Sequence, residues 1–181
     1  MNGSLNLPSP EVANATQYSP PFVFVSDEAF PLLENLLKPY SQRGLTHEQI
    51  IFNYRLSRAR RTVENAFGIR ASRFRVLKTD MAINVENVDK VVLETCVLHN
   101  YLRRTSAGTY SPSCYSVTED IERRTIIPGN WRQNGNNLQS LQRTPRGATT
   151  QAKEIRNQYK IYFNNEGSDQ FQEQMANNNT I

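Results

Sequence analysis

The chain of 181 residues has few of the side chains that cross-link small proteins or bind metals in them: two cysteines and two histidines. Cys96 and Cys114 are too few for the disulfide framework of a small secreted domain. His47 and His99 have no metal-ligand spacing to either cysteine, so the sequence predicts no zinc site. Cys96 instead lies in an apolar helical pattern, where a buried free thiol is the usual interpretation.

Long apolar runs are also absent from the sequence. No run approaches the roughly 20 residues of a membrane span, and the N-terminus lacks the basic-then-apolar order of a signal sequence. We therefore expect a soluble protein of a reducing intracellular compartment, with no membrane partner. Residues 1–21 are rich in Asn, Ser and Pro and predict a disordered lead, and residues 168–181 predict a disordered tail.

The net charge of +4 is modest, but it is unevenly distributed. Between Arg55 and Lys78 the sequence has eight basic residues and one acid, Glu64, which gives this stretch a charge of +7. A basic concentration of this kind suits a polyanion such as nucleic acid. A solvated helix face is the alternative, and charge alone does not separate the two interpretations.

The longest predicted element is a helix from Thr46 to Phe74. Thr46 and Gln49 have the spacing of a capping box, which predicts the start of the helix. Gly68 is a poor helix residue, so we expect a close approach of backbone or ligand there, or a bend. Apolar residues at three- and four-residue steps predict a stripe that faces the core, formed by Phe52, Leu56, Ala59, Val63 and Ala66.

A second stripe of this helix is polar and carries Glu64 together with Asn53 and Arg60. Glu64 has an ordinary interpretation as a surface ion pair with Arg60 or Arg61, which lie one turn earlier. Its alternative interpretation is a catalytic acid, and the choice depends on the rest of the chain.

Asp27 is the second acid of interest. It follows Phe22–Val25, a short run of β-formers that predicts a strand buried on both faces. Open α/β sheets place their chemistry at the carboxyl ends of such strands. The structural alternative is that Ser26 or Asp27 caps a short helix that follows.

The remaining chain is predicted from periodicity and from Pro and Gly. We expect an extended segment at Phe74–Leu77, a helix from Val85 to Arg103, and a structural role for His99. Residues 105–149 predict a loop-rich linker that Trp131 docks onto the core. Residues 150–167 predict a last helix that ends at Gly167.

Four stretches in order resemble the DDE endonuclease domain of PIF/Harbinger transposases and of Harbinger-derived nuclease-like proteins of animals. They are Phe22–Leu33, Phe52–Gly68, Val97–Leu102 and, more weakly, Ala152–Gly167. The resemblance covers roughly residues 5–102 and the last helix. It implies an α/β fold of the RNase H-like type, rich in helices.

The resemblance also implies a site of two Asp and one Glu that hold divalent cations, Mg²⁺ or Mn²⁺. Asp27 matches the second Asp and Glu64 matches the Glu. Hard dications take oxygen ligands, and a metal pair holds both the attacking and the leaving oxygen of a phosphodiester. DNA is the implied substrate, and the residues expected to contact it are Asn53, Arg58, Arg60 and Arg61.

One departure from the family pattern concerns the first Asp, which precedes the second by tens of residues. The 26 residues before Asp27 contain no Asp. We therefore expect residues 22–104 to be the C-terminal half of the domain, with its N-terminal strands missing and little or no catalysis.

Two alternatives remain open. One is a non-enzymatic protein that holds DNA or a Myb-like DNA-binding partner with the basic helix, and the other is an incomplete gene product without a role. A DNA partner implies the nucleus, alone or together with the cytoplasm.

Overall fold

The computed structural model describes residues 7–9, 20–41, 43–134 and 147–178. Three helices dominate: α1 (His47–Arg73), α2 (Val85–Thr105) and α4 (Thr150–Asn164). The shorter elements are β1 (Phe24–Val25), β2 (Leu36–Leu37), α3 (Ala107–Tyr110), β3 (Thr118–Asp120), β4 (Thr125–Ile127), α5 (Gln172–Asn178) and 3-10 helices at Arg75–Leu77, Ser113–Tyr115 and Asn130–Asn134. This arrangement confirms the predicted helix-rich α/β class.

The chain divides into two compact units. One consists of Met1–Arg60 and Leu141–Ile181, and the other of Arg61–Ser140. The division falls within α1, so each unit contains one half of this 27-residue helix.

The start of α1 has the predicted capping box. The backbone N–H of Thr46 donates to Gln49 Oε1 at 3.0 Å, and the N–H of Gln49 donates to Thr46 Oγ1 at 3.4 Å. These bonds satisfy two donors that the first helical turn leaves without a backbone acceptor. The cap therefore fixes where α1 begins.

The first half of α1 builds the core of the first unit. Phe52 and Leu56 lie one turn apart and are almost completely buried. Because the rest of the cluster comes from residues 20–41 and from α4, it joins stretches that are far apart in sequence. These other members are Leu32, Leu37, Ala152 and Ile155.

The predicted apolar stripe is correct at Phe52 and Leu56 and wrong further along the helix. Ala59 is exposed, and Val63 is 53% exposed. The apolar side chain that the second half of α1 buries is Ile69. The helical period identifies a face, but only a packed partner buries it.

The β1 strand differs from the prediction in length and in burial. It spans Phe24–Val25 and pairs in parallel with β2, and among the described residues this sheet has two strands. Phe24 is 51% exposed and Val25 is also exposed. The prediction of a strand buried on both faces is therefore wrong for the described residues, because burial needs layers on both sides of the sheet.

The tail is also more ordered than the sequence predicts. The segment from residue 168 contains α5, whose Met175 and Ala176 are buried with Ile51 and Tyr54 of α1. Its sequence is mostly polar, with few apolar residues such as Phe171, so composition gave no sign of the helix. The predicted disordered lead, residues 1–21, lies almost wholly outside the described residues.

The last long helix agrees closely with its prediction. Thr149 Oγ1 accepts a hydrogen bond from the backbone N–H of Ala152 at 3.1 Å and so caps the first turn of α4. The helix ends at Asn164, and the N–H of Gly167 donates to Tyr162 O at 2.8 Å. Gly167 therefore closes the helix end, as predicted.

The second unit contains regular structure where the sequence predicts a loop-rich linker over residues 105–149. Its β3–β4 hairpin and short helices account for much of residues 107–134. These elements are only three to five residues long, too short for a period to be visible. Phe74–Leu77 is likewise a 3-10 turn at Arg75–Leu77 instead of an extended segment.

Gly68 is in close contact with Trp131. A Cβ atom at Gly68 would overlap the indole ring, so the close approach that the sequence predicted is made by a side chain. Trp131 Nε1 also donates to Asn65 Oδ1 at 3.1 Å, one turn earlier on α1. Trp131 therefore docks the linker on α1, as predicted.

We predict that Gly68→Ala lowers the free energy of unfolding by about 1 kcal/mol or more, because overpacking against a rigid ring costs more than alanine gains in helix propensity. Chemical denaturation followed by the fluorescence of Trp131 measures this change. Gly108→Ala is the control, since a Cβ atom there has no neighbour within 4 Å. Equal stability of the Gly68→Ala variant and the wild type would contradict the prediction.

Candidate functional site

Asp27 lies directly after β1 and is half-buried. Its Oδ1 accepts a hydrogen bond from the backbone N–H of Ala29 at 2.9 Å, so the carboxylate stabilises the turn that follows the strand. The neighbouring Ser26 donates its hydroxyl to Leu37 O of β2 at 3.0 Å. Asp27 thus stabilises a turn and not the short helix whose cap the sequence offered as the alternative, and it lies near the strand end where a catalytic acid is also expected.

Glu64 lies on α1 and its side chain is 36% exposed. Its Oε2 is 3.4 Å from Nη2 of Arg132, in the 3-10 helix Asn130–Asn134. The sequence offered Arg60 or Arg61 as ion-pair partners, and the contact with Arg132 is a partner that it did not indicate.

Asp27 and Glu64 belong to different units of the chain, and their predicted approach stays a prediction. Within the described ranges, no group of three or more His, Cys, Asp and Glu side chains is placed to hold a metal ion. One oxygen of Asp27 accepts from Ala29, and one oxygen of Glu64 contacts Arg132. The described residues therefore do not fit a complete two-metal centre.

Asn53, whose contact with DNA stays a prediction, holds the loop at Tyr40 against α1. Its Oδ1 accepts the backbone N–H of Tyr40 at 2.8 Å, and its Nδ2 donates to Tyr40 O at 3.0 Å. Both ends of the amide thus bond to the backbone of one residue. The Tyr40 ring packs edge-on against Phe52, and the Arg156 guanidinium lies 3.9 Å from its centroid.

Two other predicted DNA contacts have internal partners of different strength. Arg61 forms a 2.7 Å ion pair with Glu119, with side chains 12% and 6% exposed. Arg58 lies over the Phe171 ring at 4.2 Å, with Asp169 at 4.0 Å. Breaking a buried pair is costly because it strands a charge, so Arg61 has a structural role, and its contact with DNA stays a prediction. Arg58 is half-buried and its pairing is looser.

Other arginines of the basic stretch also make contacts within their units. Arg55 pairs with Asp169 at 3.0 Å, and Arg73 Nε donates to Tyr110 O at 2.9 Å. Of the predicted DNA contacts, Arg60 is half-buried. The local charge of +7 therefore overstates what the stretch presents to a polyanion, because part of it is neutralised or stacked inside the fold.

His99 of α2 is buried, and its Nδ1 lies 2.9 Å from the hydroxyl of Tyr110. Burial, and then the charges of Arg103 and Arg70, lower the pKa of His99 from its ordinary value. Burial raises the pKa of the Tyr110 hydroxyl against the opposing charges of nearby arginines. A neutral histidine bonded to a tyrosine is a packed polar pair, which supports the predicted structural role.

Cys96 lies one turn before His99 on α2, and it is half-buried with a free thiol. The Arg70 guanidinium contacts its Sγ and lies 5.2 Å from the Phe67 ring centroid. The predicted apolar environment of this cysteine is therefore partly polar.

Sequence reasoning missed two partners of the predicted residues. Arg132 was not singled out, although Gly68 and the lone Trp131 both pointed to this neighbourhood. Asp169, which pairs with Arg55 and approaches Arg58, fell in a segment predicted to be disordered. Both partners are more than 60 residues from the groups they contact, and no local pattern reveals such a pair.

None of the helices in the described ranges combines the length and the apolar character that a membrane crossing requires.

One protein family, described as DDE superfamily endonuclease, matches residues 8–100 of the chain. The match includes Asp27 and Glu64 and ends within α2, before the segment that carries Trp131 and Arg132. No curated protein and no solved structure matches the chain.

We predict that His99 makes the stability of the protein depend on pH. Its pKa is lower in the folded protein than the ordinary value of 6.5, so the unfolded chain binds a proton first as the pH falls. The stabilising contribution is complete above pH 6.5 and is lost progressively as the pH falls toward the lowered value.

Denaturation curves at several pH values test this prediction. We expect His99→Gln to reduce the slope of the free energy of unfolding against pH in the range below pH 6.5. His47→Gln, which changes the other histidine of the chain, should leave this slope unchanged. An unchanged slope in His99→Gln would contradict the assignment.

Proposed function

The chain belongs to the DDE superfamily endonuclease family, and on that premise we propose that it is a Harbinger-type member with part of an RNase H-like nuclease domain in residues 22–104. The proposed activity of the complete domain is hydrolysis or strand transfer at DNA phosphodiesters. The observation that carries the proposal is the family match over residues 8–100, which includes both proposed site acids.

Asp27 and Glu64 are the proposed catalytic and metal-binding acids. Asp27 follows a strand and Glu64 is held on a long helix. Rigid elements of this kind are what a catalytic constellation requires. In the family the carboxylates bind Mg²⁺ or Mn²⁺, which supplies electrostatic stabilisation of the phosphoryl oxygens.

This chain by itself is proposed to have little or no catalytic activity. The two acids leave the third carboxylate of the family site without a counterpart in the described residues, where no group of three metal-ligating side chains occurs. A metal held by too few protein ligands lacks the fixed geometry that in-line displacement needs.

We expect no nicking of supercoiled plasmid above background with Mg²⁺ or Mn²⁺, in the wild type or in Asp27→Ala and Glu64→Ala variants. Gel electrophoresis of the plasmid forms measures the result. Metal-dependent nicking that both substitutions abolish would contradict the proposed inactivity and support the two acids as catalytic. Nicking that neither substitution changes would identify a contaminating nuclease.

A non-enzymatic role is the second candidate, in which α1 binds DNA or a Myb-like partner in the nucleus. The observation in its favour is that Arg58 and Arg60, two basic residues of α1, are each only half-buried. No base-reading motif occurs in the sequence, so the proposed binding is electrostatic.

We expect DNA affinity to fall steeply with salt and to show no preference between duplex sequences. Arg58→Gln and Arg60→Gln should each reduce, by about one, the slope of the logarithm of DNA affinity against the logarithm of salt concentration. Arg61→Gln should instead lower stability, because its partner Glu119 is buried. Arg123→Gln removes one charge from an exposed pair on the β3–β4 hairpin and serves as the control.

Fluorescence anisotropy with labelled duplexes at several salt concentrations measures these effects. Equal affinity at low and moderate salt, or strong preference for one duplex, would contradict electrostatic binding by α1.

A further inference from the structure

The segment Gly129–Gln133, called the strap below, is fixed to α1 by its tryptophan. The indole of Trp131 lies against Gly68, and its Nε1 donates to Asn65 Oδ1 at 3.1 Å. The same Oδ1 accepts the backbone N–H of Val117 at 2.9 Å, and Asn65 Nδ2 donates to Val117 O at 3.2 Å. One amide of α1 therefore orients both the tryptophan and the chain beside β3.

The base of the strap is equally constrained. A Cβ atom at Gly129 would overlap the backbone of Tyr115 and Ser116. The strap therefore approaches this backbone at a position where a larger residue does not fit. Together with the anchor of Trp131, this contact leaves the strap few alternative positions.

The strap carries Arg132 to Glu64. The guanidinium lies 4.5 Å from the Trp131 ring centroid, and its Nη2 is 3.4 Å from Glu64 Oε2. Glu64, Asn65 and Gly68 lie within two turns of α1. An exposed ion pair usually costs the entropy of two long side chains, but here the backbone of one partner is already fixed. Arg132 is therefore placed to remain at the carboxylate.

We propose that Arg132 is a counter-ion of Glu64 in this chain and competes with divalent cations for that carboxylate. The inference rests on the proposed function for the role of Glu64, and it starts from the misfit between the described residues and a metal centre. Where three acids do not converge, a single carboxylate attracts a cation weakly, and an arginine tethered beside it is always present. Arg132 acts on Glu64 and is a positioning residue.

The competition is measurable because Trp131 is the only tryptophan of the chain. Tb³⁺ is a hard cation that takes oxygen ligands, and its luminescence rises when a nearby indole transfers energy to it. We expect weak sensitised luminescence from the wild-type chain. Arg132→Gln should lower the half-saturating Tb³⁺ concentration about 2- to 5-fold, the range given by a surface ion pair.

Three further variants define the cause. Adding Glu64→Gln to Arg132→Gln should abolish the gain in Tb³⁺ affinity. Arg132→Lys should have a Tb³⁺ affinity between those of the wild type and Arg132→Gln, because it keeps a cation beside the Trp131 ring. Arg123→Gln is the matched control, since it removes the same charge from the second unit at a pair with Asp120. Its response should equal that of the wild type.

Broadening of the Trp131 indole N–H resonance by Mn²⁺ gives a second readout that does not depend on energy transfer. The emission wavelength of Trp131 in Arg132→Gln reports whether the strap stays docked. An unchanged wavelength with the gain in affinity supports competition at a docked strap.

Several results would overturn the proposal. They are an equal gain in Arg132→Gln and Arg123→Gln, a gain that survives Glu64→Gln, or no cation response in Arg132→Gln by either readout. Asp27→Asn separates this inference from the proposed function. If Asp27→Asn leaves a Glu64-dependent gain intact, the competition stands and the proposed pairing of the two acids fails. If Asp27→Asn abolishes the gain in Tb³⁺ affinity, the result supports both the competition by Arg132 and the pairing of Asp27 with Glu64.

Discussion

The continuous backbone hydrogen bonding of α1 is the constraint on which the described structure depends. The helix runs for 27 residues from its capping box to Arg73, and both units of the chain are assembled on it. Its first half supplies Phe52 and Leu56 to a core with α4. Its second half contains Asn65, which accepts a hydrogen bond from Trp131, and Gly68, which packs against the Trp131 ring. A break in this helix would therefore disturb both units.

Polar side chains on α1 bind the backbone of distant segments, although their position on a helix surface suggests contact with solvent. Asn53 and Asn65 each use their amide on the backbone of one distant residue, Tyr40 or Val117. Each satisfies a donor and an acceptor of a loop that would otherwise pack against the helix without hydrogen bonds. Arg55, Arg61 and Arg73 likewise pair with an acid or donate to a backbone carbonyl within their units. A count of charges therefore overstates the electrostatic potential of the stretch, because a paired arginine attracts a polyanion less than a solvated one.

The two acids that define the proposed site also have structural partners. Asp27 stabilises the turn after β1, and Glu64 contacts Arg132. A structural contact and a family role are compatible, because a metal ion can replace a hydrogen-bond or ion-pair partner of a carboxylate. What the described residues lack is the convergence of three acids. The family assignment and the proposed inactivity thus rest on different observations, the matched residues 8–100 in one case and the side-chain arrangement in the other.

The sequence by itself determined the features that depend on neighbours within a few residues. The capping box of α1 and the bounds of α2 and α4 are of this kind. Tertiary structure decided which predicted faces are buried, as the exposure of Val63 and the burial of Met175 show. It also decided the partners of the charged groups. Arg132 and Glu64 are 68 residues apart. They are brought together by the packing of Trp131 against Gly68, which lies on the same helix as Glu64. Local hydrogen bonding and periodicity depend on residues that are close in sequence, so they can be predicted from it. A contact between residues this far apart depends on tertiary packing, which no short sequence pattern indicates.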